Sequence, residues 1–107
     1  MTAVTKVRRA YMSRYRSANK IIQRILECIF KKSMTQSRVL KTHIIQYANL
    51  KTPMAERYLQ MLKQAGYIIE KEGQWGERKV IYYELTDLGE KRYTWFQKIN
   101  AELYEEE

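Results

Sequence analysis

The segment from Lys41 to Leu85 constrains the fold of this chain more than any other part of the sequence. Two short amphipathic stretches meet at Asn49-Leu50-Lys51-Thr52-Pro53, and the second stretch closes on Ala65-Gly66-Tyr67. Two runs rich in β-branched and aromatic residues follow, with a basic, glycine-containing loop between them. The order predicted for this segment is therefore helix, turn, helix, strand, basic loop, strand.

Helix ends in the first half of the chain are predicted from capping residues. Ser17 is expected to cap a first helix that ends near Lys31-Lys32, where cations suit the negative end of the helix dipole. A short second helix is expected from Val39 or Lys41 to Ala48, with Asn49 as its end. The apolar stripe predicted for the first helix consists of Ile21, Ile22, Ile25, Leu26, Ile29 and Phe30.

The third helix is bounded by a proline and a glycine. Thr52 is expected to cap it, with Pro53 at the first helical position, where the missing N–H of proline costs nothing. The helix is expected to run to about Ala65, and Gly66 then supplies a left-handed stop. Its inward arc is predicted to consist of Ala55, Tyr58, Leu59 and Leu62.

The two strands are predicted at residues 67–72 and 80–85. Residues 73–79 are then expected to form a basic loop that is too long for a tight two-residue turn. Trp75 lies near the tip of this loop and has two interpretations. Either it presses against a sugar-phosphate backbone, or it folds back onto the strands. We favour the second because an isolated exposed tryptophan would lower solubility.

A last helix is predicted to be capped by Thr86 or Asp87, and Asp87 and Glu90 are spaced as in a capping box. A small domain cannot bury every apolar residue of this helix, so we expect part of it to form a dimer interface. Its apolar side is predicted to comprise Leu88, Phe96, Ile99 and Leu103, and the dimer interface Tyr93, Phe96, Ile99 and Leu103.

These elements predict an α+β fold that is mostly α: a winged helix-turn-helix with a three-helix core, a two-stranded wing and an extra C-terminal helix. We expect residues 1–16 to be a basic arm or a helical extension and residues 17–86 to be the winged domain. Residues 87–107 are then the C-terminal helix with an acidic tail. In this fold, the third helix normally enters a DNA major groove.

The charge distribution favours a nucleic-acid partner. The 107 residues carry a formal net charge of +8 and a pI of about 9.6, and a domain pI above about 9 is typical of nucleic-acid binders. Residues 1–24 contain seven basic residues and no acidic one, whereas residues 102–107 contain four glutamates and no basic residue. Phosphate contacts in the basic arm are assigned to Lys6, Arg8, Arg9, Arg14 and Arg16.

The outward arc of the third helix carries the residues expected to read bases. Arg57 and Gln60 are the principal candidates, because Arg pairs with guanine edges and Gln with adenine. Gln64 is a secondary candidate, because it lies deeper along the helix. The alternative is an ordinary solvated helix face. The other predicted DNA contacts are Lys51, Thr52 and Pro53 at the helix start, and Gln74, Trp75, Arg78 and Lys79 in the wing.

Several motifs follow a known pattern. They are Lys41-Thr42-His43-Ile44 with Tyr47-Ala48-Asn49-Leu50, then Tyr58-Leu59 and Leu62 with Gly66-Tyr67-Ile68, and Tyr83-x-Leu85-Thr86-x-x-Gly89. Over residues 21–89 the chain resembles small archaeal winged-helix DNA-binding proteins. The resemblance implies this fold, duplex DNA as partner and a homodimer. Some members pair long C-terminal helices as a coiled coil, but the last helix here is too short for that, which favours a compact dimer.

No pattern in the sequence points to catalysis. His43 is the only histidine and Cys28 the only cysteine, which leaves too few ligands for a zinc site. Cys28 is expected to be a small, buried or half-buried hydrophobe and His43 a surface polar residue near the DNA. We therefore predict no cofactor and no metal, and no small-molecule ligand is evident from the sequence. With one cysteine, and no apolar run of about 18 residues, we expect an intracellular protein without membrane contact.

Three functions remain open from the sequence. The first is a sequence-specific transcription regulator that binds a palindromic site on double-stranded DNA as a homodimer. The second is a chromatin-type protein that coats DNA with little sequence preference, which the excess positive charge favours. The third is a protein–protein interaction module, whose surface the nine tyrosines together with Trp75, Trp95 and Phe96 could build.

Overall fold

The computed structural model describes residues 17–35 and 37–104, so the predictions for the basic arm and for the last three residues lie outside the described part of the chain. Within that part, four helices and a two-stranded antiparallel sheet confirm the predicted winged helix-turn-helix. The elements in chain order are α1 (Ala18–Met34), α2 (Lys41–Ala48), α3 (Thr52–Gln64), β1 (Ile68–Trp75), β2 (Arg78–Leu85) and α4 (Asp87–Tyr104).

Helix α1 forms the centre of the hydrophobic core. Its start is confirmed, because the hydroxyl of Ser17 accepts a hydrogen bond from the backbone N–H of Lys20 at 3.2 Å. Its apolar stripe packs against α2, β2 and α4. The buried residues of the helix are Ile21, Ile22, Ile25, Leu26, Cys28 and Ile29, with Phe30 packed against them.

The start and end of α2 are set by local hydrogen bonds and one unusual backbone angle. The ring Nδ1 of His43 accepts a hydrogen bond from the backbone N–H of Leu40 at 3.1 Å, which satisfies a donor at the helix start. Asn49 ends the helix in the left-handed conformation, with φ of 55° and ψ of 58°, as its sequence position predicted.

Helix α3 begins one residue earlier than predicted. Lys51 occupies the capping position with an extended backbone and no side-chain cap, so Thr52 is the first helical residue and not the cap. Pro53 still lies in the first turn, where backbone N–H groups have no partner within the helix. Gly66 has a φ of 82° and ends the helix, as predicted. The buried residues Ala55, Leu59 and Leu62 turn the helix towards the core.

The predicted seven-residue wing loop is wrong. Strands β1 and β2 continue into that segment and stay paired until Trp75 lies opposite Arg78, so only Gly76 and Glu77 form the turn. Gly76 has a φ of 65°, a conformation that tight two-residue turns require and glycine adopts without strain. The strand ends were missed because they include Gly73 and Lys79, whose residue types have low strand propensity, whereas pairing across the hairpin extends the ladder.

A contact from outside the hairpin supports the wing. The backbone N–H of Tyr83 donates to the carbonyl oxygen of Val39 at 2.9 Å, so the segment between α1 and α2 forms a bridge to β2. Next to it, the guanidinium of Arg38 donates to the carbonyl oxygen of Gln74 at 2.9 Å and lies 5.0 Å from the ring of Tyr82. A side chain on Gly73 would collide with this guanidinium, so the glycine makes room for it.

Helix α4 is joined to the end of α3 through Thr86. The threonine hydroxyl donates to the carbonyl oxygen of Gly66 at 2.6 Å and accepts from the backbone N–H of Gly89 at 2.9 Å. Thr86 is therefore the cap, and the predicted capping box of Asp87 and Glu90 does not form, because the residue three positions after the cap is Gly89.

The buried side of α4 differs from the predicted one. Tyr93 and Phe96 are both 6% exposed and belong to the core, and the ring of Tyr93 lies 5.1 Å from that of Phe30. The amide of Asn100 is also buried and donates to the carbonyl oxygen of Asn19 at 3.1 Å. Of the predicted apolar stripe, only Phe96 is in the core. Leu88 and Leu103 are exposed and Ile99 is half-buried.

A polar network fixes α2 on α1. The carboxylate of Glu27 accepts a hydrogen bond from the hydroxyl of Tyr47 at 2.7 Å and pairs with Lys31 at 3.0 Å. Burial by itself raises the pKa of Glu27, but the hydrogen bonds from Tyr47 and Lys31 outweigh burial and hold this pKa below its ordinary value of 4.5. The network therefore stabilises the fold while Glu27 is ionised.

We expect Tyr47→Phe to lower the free energy of unfolding at neutral pH by about 1 to 2 kcal/mol, since a hydrogen bond to a charged group is lost. A lowered carboxyl pKa contributes stability above the unfolded value of 4.5 and loses it as the pH falls through the folded value. The cost of the substitution should therefore shrink below about pH 4.5. Urea unfolding across this pH range measures it. Tyr58→Phe is the control, because the Tyr58 hydroxyl bonds to no described residue. An equal cost at all pH values would contradict the assignment.

Gly89→Ala should destabilise the protein, because a Cβ at this position would collide with the carbonyl oxygen of Tyr67. We expect the free energy of unfolding to fall by about 1 to 3 kcal/mol, even though alanine favours a helix by about 1 kcal/mol over glycine. Thermal or urea unfolding measures the change. The exposed neighbour substitution Lys91→Ala should stay within about 0.5 kcal/mol of the parent protein. A Gly89→Ala protein as stable as its parent would show that α4 is not held this closely.

Candidate nucleic-acid interface

The outward face of α3 carries a row of exposed polar side chains. Arg57, Gln60 and Gln64 are all exposed and are spaced three and four residues apart, which places them on one side of the helix. None of the three forms a hydrogen bond or ion pair with a residue in the described ranges. The opposite side of the helix packs in the core, so the hydrogen-bond donors and acceptors of this row face solvent.

The first turn of α3 presents a second polar group. Lys51, Thr52 and Pro53 are exposed at the N-terminus of a 13-residue helix. Backbone N–H groups at a helix N-terminus have no partner within the helix and carry the positive end of its dipole. This end of α3 is therefore suited to a phosphate oxygen, and the ammonium group of Lys51 adds a full charge beside it.

The wing presents its tip to solvent. Gln74, Arg78 and Lys79, the other residues predicted to contact DNA from the wing, are exposed. Trp75 is 62% exposed, so the expectation that it folds back onto the strands is wrong. Its position explains the exposure: Ile68 points into the core, and alternation along β1 places Trp75 on the opposite face, directly across from Arg78.

Sequence reasoning missed Arg38. This exposed residue lies before α2, in a segment with no regular pattern, yet its guanidinium rests on the outer face of the wing against Tyr82 and above Gly73. The wing therefore carries Arg38 in addition to Arg78 and Lys79. The one local signal was Gly73, since a glycine inside a strand often marks close approach of another group.

The cations near α3 fall into two sets. The first set, Lys41 and Lys63, is paired: the Lys41 ammonium lies 2.9 Å from Glu56, and that of Lys63 lies 2.9 Å from Glu70. The second set forms no ion pair with any residue between positions 17 and 104 that the structure describes, and consists of Lys51, Arg57, Arg78 and Lys79. The second set therefore contains every lysine and arginine of the described ranges that the sequence predicted to contact DNA.

The sequence pattern shared by winged helix-turn-helix proteins matches residues 15–103. This chain belongs to the winged helix-turn-helix family. The matched range includes α4 together with the helices and the wing, so the family pattern extends through the C-terminal helix. No curated protein is significantly similar to the chain in sequence.

Two solved structures are similar to the chain in both sequence and fold. Sso10a-2, a DNA-binding protein from Sulfolobus solfataricus, is 27% identical over 84% of this chain and 87% of its own, with a TM-score of 0.59. The protein smu.1704 from Streptococcus mutans UA159 is 26% identical over 78% and 77% of the two chains, with a TM-score of 0.63. The predicted resemblance is thus confirmed for the winged fold, and its archaeal part stays a prediction.

A third structure is similar in fold alone. This is MepR from S. aureus, solved with bound ethidium bromide, which is 16% identical to this chain with a TM-score of 0.60. The match covers 97% of this chain and 72% of MepR. The winged helix-turn-helix and the helix that follows it are therefore arranged similarly in proteins of very different sequence.

Cys28 and His43 both have structural roles in this member of the family. Cys28 is fully buried, as predicted, and burial raises the pKa of its thiol to about 11, which keeps the thiol protonated at neutral pH. His43, predicted as a surface residue near DNA, is half-buried and bonds to the start of its own helix. In the ranges 17–35 and 37–104, no group of three metal-binding side chains comes together, and no helix is long and apolar enough to span a membrane.

The predicted dimer-interface residues divide between core and surface. Tyr93 and Phe96 are core residues of the monomer, so they have little area left for a partner. Leu103 is 62% exposed, and Trp95, which was not among the predicted interface residues, is 48% exposed. With Leu88 and the half-buried Ile99, these two residues form an apolar stripe along α4.

Proposed function

We propose that this chain is a transcription regulator that binds double-stranded DNA as a homodimer. Helix α3 enters the major groove, and the wing contacts the flanking backbone or the minor groove. The observation that carries the proposal is the row of Arg57, Gln60 and Gln64, whose polar ends are exposed and form no bond to the described part of the chain. The family and the likeness to the DNA-binding protein Sso10a-2 support it.

The side chains of this row are suited to reading base edges. An arginine donates two parallel hydrogen bonds to O6 and N7 of guanine, and a glutamine pairs in the same way with N6 and N7 of adenine. We assign these roles to Arg57 and Gln60, near the middle of the exposed face, and a supporting role to Gln64. A good bidentate pair discriminates against a wrong base by about 1 to 3 kcal/mol.

The remaining positive charges position the protein on the duplex. Lys51 and the start of α3 contact one phosphate group, while Arg78 and Lys79 contact the strand that passes the wing. Trp75, exposed at the wing tip, packs its ring against a sugar of that strand. The basic residues before α1 add sequence-independent attraction.

The dimer in this proposal forms through the apolar stripe of α4. Leu88, Trp95, Ile99 and Leu103 lie on one side of a helix of 18 residues, which is about 27 Å long at 1.5 Å per residue. A compact two-fold pair of such helices would present two copies of α3 to successive major grooves, so the preferred site is a palindrome or near-palindrome.

A second candidate is a chromatin-type protein that coats DNA with little sequence preference. The net charge of +8 favours this function, since attraction to phosphates alone produces binding without a preferred site. The two candidates differ in whether the α3 row reads bases, so substituting that row separates them.

Arg57→Ala should weaken binding to the preferred site by about ten-fold or more and relax the preference at one base position, because one bidentate guanine contact is lost. Selection from a random pool of duplexes at two salt concentrations, followed by sequencing, measures both effects. The control is Arg92→Ala on α4, which removes the same charge outside the α3 row and the wing.

A palindromic motif that survives the higher salt, and that Arg57→Ala changes at one position per half-site, supports the regulator. Tight binding with no motif, lost in salt and unaffected in relative affinity by Arg57→Ala, supports chromatin coating. Absence of binding at both salt concentrations would reject both candidates.

Leu103→Glu should convert the dimer to a monomer, because it places a charge in the proposed apolar seam. Analytical ultracentrifugation measures the mass. Ala101→Glu adds the same charge to the same helix at an exposed position on the opposite side, and should leave the dimer intact. A Leu103→Glu protein with the parent's mass would rule out this stripe as the interface.

A further inference from the structure

We propose that Glu56 and Glu70 are specificity determinants that restrain the phosphate affinity of the α3 face. Each holds a lysine beside the helix in an ion pair, so that binding depends more on base contacts and less on general attraction to DNA. The inference rests on the proposed function, because it concerns how the same surface discriminates between specific and non-specific duplexes.

The two ion pairs lie directly beside the residues proposed to read bases. The Lys41–Glu56 pair joins the start of α2 to α3, and the Lys63–Glu70 pair joins α3 to β1, each at 2.9 Å. Both pairs line a cavity of about 160 Å³ whose wall also includes Gln60. The pairs therefore line the side of α3 that faces α2 and the wing, next to Gln60 of the row proposed to read bases.

These pairs are exposed enough for a phosphate group to compete for the lysines. The side chains of Lys41 and Glu56 are 39% and 54% exposed, and those of Lys63 and Glu70 are 35% and 34% exposed. Exposed ion pairs contribute little to stability, because solvent screens the attraction and the side chains lose freedom. Holding the helices together is thus a minor part of what these carboxylates do.

The larger effect is on binding to phosphates. A lysine that is already paired must leave its carboxylate before it can neutralise a phosphate, and the carboxylate left behind repels the same phosphate. Both effects fall mainly on the non-specific complex, which has only phosphate contacts and can take any orientation that brings a freed lysine to a phosphate. In the specific complex the base contacts of Arg57 and Gln60 hold α3 in one register and keep their full value, so the ratio of specific to non-specific affinity rises.

The other cations of the proposed interface differ from Lys41 and Lys63 in having no ion pair to a described residue. Arg57 on α3, Lys51 at the cap of α3, and Arg78 and Lys79 on the wing have no carboxylate partner among the described residues. The cations at the proposed base and backbone contacts are thus unpaired, whereas Lys41 and Lys63 beside them are held in ion pairs. Substituting the two glutamates separates these sets experimentally, since it frees Lys41 and Lys63 without touching a residue of the reading row.

The test uses the full chain and the variants Glu56→Gln and Glu70→Gln. Binding to the selected duplex and to a scrambled duplex is measured by fluorescence anisotropy over a series of salt concentrations. Each variant should bind the scrambled duplex several-fold more tightly at low salt. The slope of log affinity against log salt should steepen by about 0.9 for each freed lysine that gains a phosphate contact. The ratio of specific to non-specific affinity should fall.

Glu72→Gln is the matched control. Glu72 lies two residues after Glu70 on the same strand, so it shares the same face, and it is exposed without an ion pair to any described residue. Its neutralisation adds the same net charge, so an effect of charge alone would appear equally in this variant. A salt slope close to that of the parent protein is expected here.

A second substitution checks that the freed lysine is responsible. In the double variant Glu56→Gln with Lys41→Gln, the gain in non-specific affinity seen for Glu56→Gln should disappear. The single variant Lys41→Gln should bind both duplexes more weakly than the parent protein, because it leaves the Glu56 carboxylate unpaired beside the phosphates. Thermal unfolding of each variant shows that the protein remains folded.

Three results would overturn the inference while leaving the proposed function intact: unchanged salt slopes in both glutamate variants, an equal gain from Glu72→Gln, or a gain that persists without Lys41. If the parent protein and all variants bind neither duplex at low salt, the proposed function and this inference both fail.

Discussion

Burial of the apolar stripe of α1 is the interaction on which the rest of the structure depends. Ile25, Leu26 and Ile29 are completely buried, and α2, β2 and α4 all pack against this helix. Burial of apolar surface is the main favourable contribution to folding in a small domain. Because α1 is covered on several sides, α2 is held in place, and α3 must pack on α2 and β1 through its own narrow apolar arc. The wide polar arc of α3 is left exposed as a consequence.

The chemistry of the proposed site follows from this arrangement of helices. A helix that is anchored by Ala55, Leu59 and Leu62 presents Arg57, Gln60 and Gln64 at a fixed orientation. The wing is held beside it by the bridge from Val39 to Tyr83 and by Arg38 on its outer face. Binding costs less free energy when the backbone that carries the reading side chains is already held in place, and packing of the scaffold provides that condition. In the inference drawn above, the ion pairs of Glu56 and Glu70 limit how strongly the same surface attracts phosphates.

Elements with strong local signals were predicted well, and elements whose limits depend on distant residues were not. The start of α1 at Ser17, the left-handed end of α2 at Asn49 and the stop at Gly66 each follow from one residue and its neighbours. The wing was predicted too short, because its outer half is stabilised by cross-strand pairing and by Arg38, which lies 35 residues before Gly73 in the sequence. Exposure of Trp75 is a further consequence of that longer hairpin.

The sequence by itself determined the order of the elements, the helix ends and the polar arc of α3, since helical periodicity and capping act over three or four residues. Only the tertiary structure decided which side of α4 is buried. Two apolar stripes run along that helix, one through Tyr93 and Phe96 and one through Trp95 and Leu103, and periodicity does not rank them. The close approach of Gly89 to the Tyr67 carbonyl and the hydrogen bond from Asn100 to α1 fix the rotation of α4 and select the first stripe. Those contacts join residues far apart in the chain, so no local pattern contains them.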